Sequence, residues 1–317
     1  MDELASWTRT TSTFDGETRE VYRKGSGTGV IVLHEMPGLS ADVVAFAEQI
    51  VARGHTVLLP RLFGQLDGFP LATAGEDLRR FCIRREFAVF ARGRTSPIVV
   101  WLRALARALH DEQPRSPGVG VVGMCFTGGF ALAMLADHTV IAPVLAEPSL
   151  PFPVGVLPGR AAARGADLGL SPDDLAAARD SSCEVLGLRF RKDWMSGTRF
   201  AALERELGDR FVGVEFEGPG HSVLTRDRRG SGVRDVLDFL DAKLDGRDPA
   251  PIERDAAREA AAVAELSAFP VVEAVVTRQG DELEVIVDRP LTDDEFTRLG
   301  IVAHDRLGVR PDVRLRR

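Results

Sequence analysis

Cys125, Asp193, His221 and Glu35 are the residues whose types and order can do chemistry together. Cys125 stands in Val119-Gly120-Val121-Val122-Gly123-Met124-Cys125-Phe126-Thr127-Gly128-Gly129-Phe130, where a β-branched run stops at a glycine. A small-residue helix, read over 131–136, follows at once. A tight strand-to-helix turn of this kind lifts a reactive side chain above a sheet edge. Gly123 and Gly128 suit such a turn because close helix–sheet approach leaves no room for a Cβ. The start of the helix also favours a thiolate, through the positive end of its dipole. The bland alternative is a buried, inert cysteine at a strand end.

A thiol near neutral pH needs an imidazole to take its proton and a carboxylate to fix the imidazole's tautomer. His221, in Gly218-Pro219-Gly220-His221-Ser222, and Asp193, in Arg191-Lys192-Asp193-Trp194, supply both in the chain order nucleophile, acid, base. Taken singly, Asp193 reads equally as a solvated loop acid beside Lys192, and His221 as a turn histidine. Among the other histidines, His55 begins a strand, His110 ends a helix, and His138 and His304 read as exposed or structural. His34 ends a strand directly before Glu35 and is read as orienting that loop.

These groups must be positioned by the elements around them. Val30-Ile31-Val32-Leu33 reads as a fully buried strand. A helix over 41–53 follows, capped by Ser40 or Asp42, and a strand over 55–60. Helical stretches are expected at 72–91 and 96–110, strands at 139–145, 183–190 and 211–216, and helices from Ser171-Pro172, over 197–207 and over 232–244. Residues 1–28 are polar, with one expected strand at 18–24. This alternation predicts a mainly parallel sheet covered on both faces. Sites in such sheets lie at the carboxyl ends of the strands, where Glu35, Cys125, Asp193 and His221 all fall. The long Pro/Gly-rich loop 147–169 and the stretch 72–91 are expected to roof the pocket.

Arg247-Asp248-Pro249-Ala250-Pro251 marks an expected boundary between a domain of residues 1–246 and an extension of residues 247–317. The extension reads as a helix, two strands around Gly280-Asp281, a helix from Asp293 and a last short strand. It holds no catalytic-looking cluster and is expected to be an accessory or oligomerisation element, through which a homo-oligomer could form.

The 317 residues carry a formal net charge of -7, with basic residues scattered among acidic ones, so a nucleic-acid partner is not expected. Three cysteines, Cys82, Cys125 and Cys183, have neither paired nor metal-type spacing, and no metal is expected. Met1-Asp2-Glu3-Leu4 does not open a secretory leader, and no apolar run reaches the roughly 18 residues of a membrane span. A cytoplasmic, reduced setting without a membrane partner is the expectation.

The segments His34-Glu35-Met36-Pro37-Gly38-Leu39 and Gly123-Met124-Cys125-Phe126-Thr127-Gly128-Gly129, with Asp193 and Gly220-His221-Ser222, resemble the dienelactone hydrolase family. The likeness spans about residues 18–245. It implies an α/β-hydrolase fold, a mainly parallel sheet with helices on both faces, with a small C-terminal α/β extension outside it. It further implies that Cys125 attacks an ester or lactone carbonyl, His221 shuttles the proton, and Asp193 orients His221. Glu35 matches the family's glutamate, which helps to convert thiol to thiolate when substrate binds. Backbone N–H groups of Met36 and Phe126 would form the oxyanion hole. The substrate would be a small ester or lactone, handled without a cofactor.

The chain departs from the family at two places. The elbow position usually held by glycine two residues after the nucleophile is Thr127. The family's carboxylate-clamping arginine four residues after the histidine is Thr225 here, with Arg226 one further on and Arg84 or Arg85 as the other candidates. Two further readings stay open on the sequence: a catalytically idle hydrolase-fold protein that binds a small molecule or protein, and a redox-sensing cysteine partnered in space by Cys82 or Cys183.

Overall fold

A computed structural model describes residues 4–62, 95–149, 166–216, 220–246, 256–277, 283–307 and 311–315. Its main body is an eight-stranded sheet. The strands are β1 (Thr8–Phe14), β2 (Glu17–Lys24), β3 (Gly29–Leu33), β4 (Thr56–Pro60), β5 (Val119–Met124), β6 (Val140–Ala146), β7 (Val185–Phe190) and β8 (Phe211–Phe216). Their order is β1-β2-β4-β3-β5-β6-β7-β8; β1 pairs with β2, and β2 with β4, antiparallel, and the other pairs are parallel. This is the α/β-hydrolase fold expected from the sequence.

The period of a strand sends successive side chains to opposite faces, and both faces are apolar here. Ile31, Leu33 and Val121 pack under α2 (Pro97–Asp111), α3 (Gly128–Met134) and α5 (Arg199–Leu207). Val30, Val32, Val122 and Val144 pack under α1 (Ala41–Ala52) and α6 (Gly230–Asp245). Each fully buried aliphatic side chain in these layers contributes about 1.5–3 kcal/mol over leaving it in water. Ser40 caps α1 by accepting from Val43 N. Ser171 caps α4 (Pro172–Asp180) by accepting from Asp174 N, with Pro172 in the first turn.

The register decides where the chemistry emerges. Leu33 pairs with Gly123, and Met124 pairs with Ala146, so the carboxyl ends of β3, β5 and β6 lie level. Glu35 and Cys125, each two residues beyond the paired Leu33 and Gly123, therefore leave the sheet side by side. Phe190 pairs with Phe216, and Asp193 and His221 follow β7 and β8 at the same edge.

β1 was not expected. It forms because Asp15-Gly16, with φ of 52° and 76°, makes a two-residue reversal that carries the chain back onto β2. Its mostly exposed residues lack the apolar alternation that marks a strand. The helix after the elbow begins at Gly128 and ends at Met134, three residues earlier at its start than expected. The expected roofing stretch 72–91, and most of the loop 147–169, lie outside the described residues.

A second, three-stranded sheet is built from β9 (Val272–Thr277), β10 (Leu283–Val287) and β11 (Pro311–Leu315), accompanied by α7 (Ala256–Ser267) and α8 (Asp293–Leu307). β10 pairs antiparallel with β9 and parallel with β11. Leu266, Val271, Leu283, Val285, Val287 and Leu299 form a core cluster of their own.

Gly123 carries the tightest constraint at the elbow. A Cβ there would lie 2.4 Å from Thr127 O and 2.8 Å from the Ala131 Cβ. Gly123→Ala is therefore expected to cost about 1–3 kcal/mol through overpacking, read as a thermal midpoint several degrees lower with unchanged unfolding cooperativity.

Candidate active site

Cys125 is the first residue after β5 and has φ of 54°, a left-handed conformation that a side-chain-bearing residue adopts only under constraint. Residues 125–127 form a single tight helical turn that leads into α3. Thr127, where the family has glycine, helps to hold this turn. Its buried hydroxyl accepts from Met124 N at 2.8 Å and reaches the carbonyls of Leu33, at 3.0 Å, and Met124, at 2.8 Å. A hydroxyl thus ties the elbow to the end of β3, so the substitution fits the turn.

The Cys125 thiol is largely buried and lies 3.1 Å from the Ser149 hydroxyl. Ser149 N also donates to Cys125 O, at 3.1 Å. His221 Nδ1 is 2.8 Å from Asp193 Oδ2. Asp193 is buried and further accepts from Met195 N and the Ser196 hydroxyl, donors that favour its charged form. Its carboxyl is held below the ordinary range: burial opposes the shift, but the His221 contact and these two donors prevail.

His221 is pushed up to about 11. Burial works against this, but the Asp193 hydrogen bond and the nearby Cys125 sulfur more than offset it. The imidazole is therefore a cation at neutral pH, with Asp193 at one nitrogen. Its other nitrogen, Nε2, is buried with no hydrogen bond of good geometry among the described residues, while the Cys125 sulfur acts on the ring from nearby. A cation flanked by a carboxylate and a sulfur suits a thiolate–imidazolium pair.

Glu35 is buried and accepts from the Ser222 hydroxyl at 2.7 Å and from the Thr225 hydroxyl. Thr225 stands where the family has its clamping arginine, so here that position meets Glu35 with a hydroxyl. Arg226 is exposed. Arg84 and Arg85 lie outside the described residues. His34 is fully buried and lowered to about 4, chiefly by burial. The neutral ring spans Glu35 O, at 3.0 Å from Nδ1, and Leu62 N, which donates to Nε2 at 3.1 Å. Those two contacts fix the strand-end loop that carries Glu35 and Met36. Met36 follows Glu35 and Phe126 follows Cys125, at the level edge set by the register.

Three side chains at the site gave no signal in the sequence. Ser149 touches the thiol. Glu147, the first residue after β6, is wholly buried, and its Oε2 accepts from Val223 N at 3.0 Å. Arg199 is buried and donates to the carbonyls of Asp167, Met195 and Ser196. Burial lowers Arg199 to about 10, against the pull of Asp167, Asp193 and Cys125, so its cation still faces the acid and the thiol. All three were hidden in segments read as loop or as an ordinary helix start. Only the fold reveals that they converge.

Among the described residues, one group has metal-compatible spacing: His55, Asp241 and Asp245. Asp241 is already bonded to His55 Nε2 at 2.9 Å and to Arg53 at 2.6 Å, so the group reads as a polar lock between β4 and α6. Cys125 and Cys183 are both free, and Cys183 meets the Val140 carbonyl rather than the thiol. Cys82 lies outside the described residues. No described helix is long and apolar enough to cross a membrane.

Residues 18–163 match the model of the dienelactone hydrolase family, so the resemblance read from the sequence holds over that stretch. The stretch includes Glu35, Met36, Cys125 and Phe126 and stops before Asp193 and His221. No curated protein sequence matches the chain significantly. Among solved structures, it is similar to a provisionally assigned dienelactone hydrolase from Klebsiella pneumoniae, at 16% identity and a TM-score of 0.54 over 75% of this chain and 97% of that one. A dienelactone hydrolase from Anabaena variabilis matches at 15% identity and a TM-score of 0.51, over 75% and 98% of the two chains. A Pyrococcus furiosus esterase matches at 14% identity and a TM-score of 0.52, over 77% and 93%. At these identities the likenesses establish the α/β-hydrolase fold.

The His221 cation gives a direct solution test. Because its folded value lies above the ordinary 6.5, its contribution to stability is fully present below pH 6.5 and is lost as pH rises through about 11. In histidine-labelled NMR spectra, His221 should remain doubly protonated at pH 8. In Asp193→Asn it should titrate at markedly lower pH. A wild-type His221 that is neutral at pH 8 would contradict the ion-paired reading.

Proposed function

From a chain whose residues 18–163 carry the dienelactone hydrolase family pattern, we propose that the protein hydrolyses a small carboxylic ester or lactone through an acyl-thioester on Cys125. The observation that carries this is the His221–Asp193 pair beside a cysteine on a strained turn after β5. In this reading the Cys125 sulfur attacks the substrate carbonyl as a thiolate, with the Ser149 hydroxyl donating to it in the resting state. The carbonyl oxygen becomes an oxyanion met by the backbone N–H groups of Met36 and Phe126. His221 then gives its proton to the departing alkoxide, and the C–O bond breaks to leave the thioester. A water molecule enters, His221 takes its proton, and attack on the thioester releases the carboxylic acid and the cysteine.

Asp193 holds the imidazole in place and offsets its charge. Glu35 is the acid–base partner that the family resemblance implies. Its hold on Ser222 and Thr225 means that it must release at least one hydroxyl to approach the sulfur. Thr225 at the clamp position favours substrates that do not depend on a carboxylate there, so neutral esters are the first class to test. Arg84, Arg85 and Arg226 remain the proposed substrate-contact candidates for a charged ester. The first 246 residues form the hydrolase domain in this reading, and residues 247–317 an accessory or oligomerisation element supported by their separate sheet and core. No cofactor is required.

The test compares wild type with Cys125→Ala on a dienelactone, a neutral aryl ester and a thioester. Wild type should turn over the aryl ester, and the substitution should lower kcat by about 10⁴-fold or more, as removal of a triad nucleophile does. Equal activity in both proteins would mean that Cys125 is not the nucleophile. Turnover by neither would favour the binding-protein reading.

A further inference from the structure

Glu147 is a carboxyl group that the mechanism above leaves unused, and it sits in a costly place. Its side chain is wholly buried, and its backbone has φ of 38°, uncommon for a residue with a side chain. Oε2 accepts from Val223 N, two residues beyond His221. Oε1 is buried without a hydrogen-bond partner among the described residues. Glu147 N donates to Leu188 O at 2.7 Å, which anchors the turn to the end of β7. Two residues on, Ser149 reaches the Cys125 thiol. One residue thus joins the end of β6 to the loop that carries the imidazole.

Glu35 shares the same buried edge, and the two carboxyl groups are provided for unequally. Glu35 accepts hydroxyl hydrogens on both oxygens, from Ser222 and from Thr225. Among the described residues Glu147 receives one N–H and keeps one bare oxygen. Two carboxylates in one desolvated site cannot both ionise cheaply, and the one with more donors keeps the charge. We propose that Glu147 is a protonated positioning residue, which as a neutral acid accepts the Val223 N–H to hold the His221 loop and leaves the negative charge on Glu35.

The groups facing Glu147 agree with this. Burial pushes its carboxyl well above the ordinary range, and the Glu35 charge after β3 and the Asp193 charge after β7 add to the push. The His221 cation and the Val223 N–H oppose it and do not prevail.

The kinetic part of the test rests on the hydrolase reading, and the spectroscopic part does not. Glu147→Gln keeps the acceptor and the volume, whereas Glu147→Met keeps the volume and removes the acceptor. Infrared difference spectra of wild type against Glu147→Gln at pH 7 should contain the carbonyl band of a protonated carboxylic acid, present only in wild type. Absence of that band would overturn the proposal whether or not the protein hydrolyses esters. On a substrate that wild type turns over, Glu147→Gln should keep kcat within about 3-fold near neutral pH, whereas Glu147→Met should lose about 10- to 100-fold in kcat with little change in KM. As pH rises and Glu147 ionises, wild-type activity should fall while Glu147→Gln holds its rate further into the alkaline range. A Glu147→Gln protein that is folded by thermal denaturation yet as slow as Glu147→Met would overturn the proposal. So would a Glu147→Met protein as fast as wild type.

Discussion

The contact between His221 and Asp193, 2.8 Å long, bridges the loops after two neighbouring strands and keeps a largely buried imidazole charged. Charge inside a protein is costly unless it is paired. Most of the polar detail at this edge of the sheet serves that pairing. Met195 and Ser196 donate to Asp193, and Arg199 in turn binds the carbonyls of the same two residues, so the acid is held by a chain of donors rather than by one contact. On the other side lies the sulfur of Cys125, held by a strained turn that only a glycine at 123 permits. If the imidazole lost its acid, the thiol would lose the cation that favours its reactive form.

The parallel sheet is what makes this arrangement possible. Strands β3, β5 and β6 end level in a register packed between two buried apolar layers, and a slip by one residue would send each side chain to the opposite layer. Glu35, Cys125 and Glu147 stand one or two residues past those buried strand ends. Their neighbours Asp193 and His221 are on loops, but each loop is tied back to the frame by buried hydrogen bonds. Asp227 adds to this by accepting from His221 N and Ser222 N. Function at this edge thus depends on packing remote from it.

Much of this was legible in the chain. Buried strands such as Val30 to Leu33 and Phe211 to Phe216 announce themselves as apolar runs, and Ser40 and Ser171 announce helix starts because short hydroxyl side chains satisfy free N–H groups there. The elbow was legible because few sequences place a cysteine between a β-branched run and a pair of glycines. β1 was not, since its outward residues carry no apolar alternation, although Asp15-Gly16 held the turn signal that would have found it. Glu147, Ser149 and Arg199 were illegible for a different reason. Their importance comes from tertiary convergence, and nothing in their local sequence differs from that of a solvated loop or helix. Thr225 lies between these cases: its departure from the family pattern was visible, but its hydroxyl contact with Glu35 was not.

The central claim is that the sulfur of Cys125 is the atom that becomes acylated. Ser149 lies 3.1 Å away and presents a hydroxyl to the same space, so the claim has a real competitor within the structure. The most direct measurement is mass spectrometry of the intact and digested protein after rapid quenching with an activated aryl ester. The account predicts a single acyl adduct on the peptide containing Cys125, sensitive to hydroxylamine and absent from Cys125→Ala. An adduct on Ser149 that survives in Cys125→Ala would contradict it.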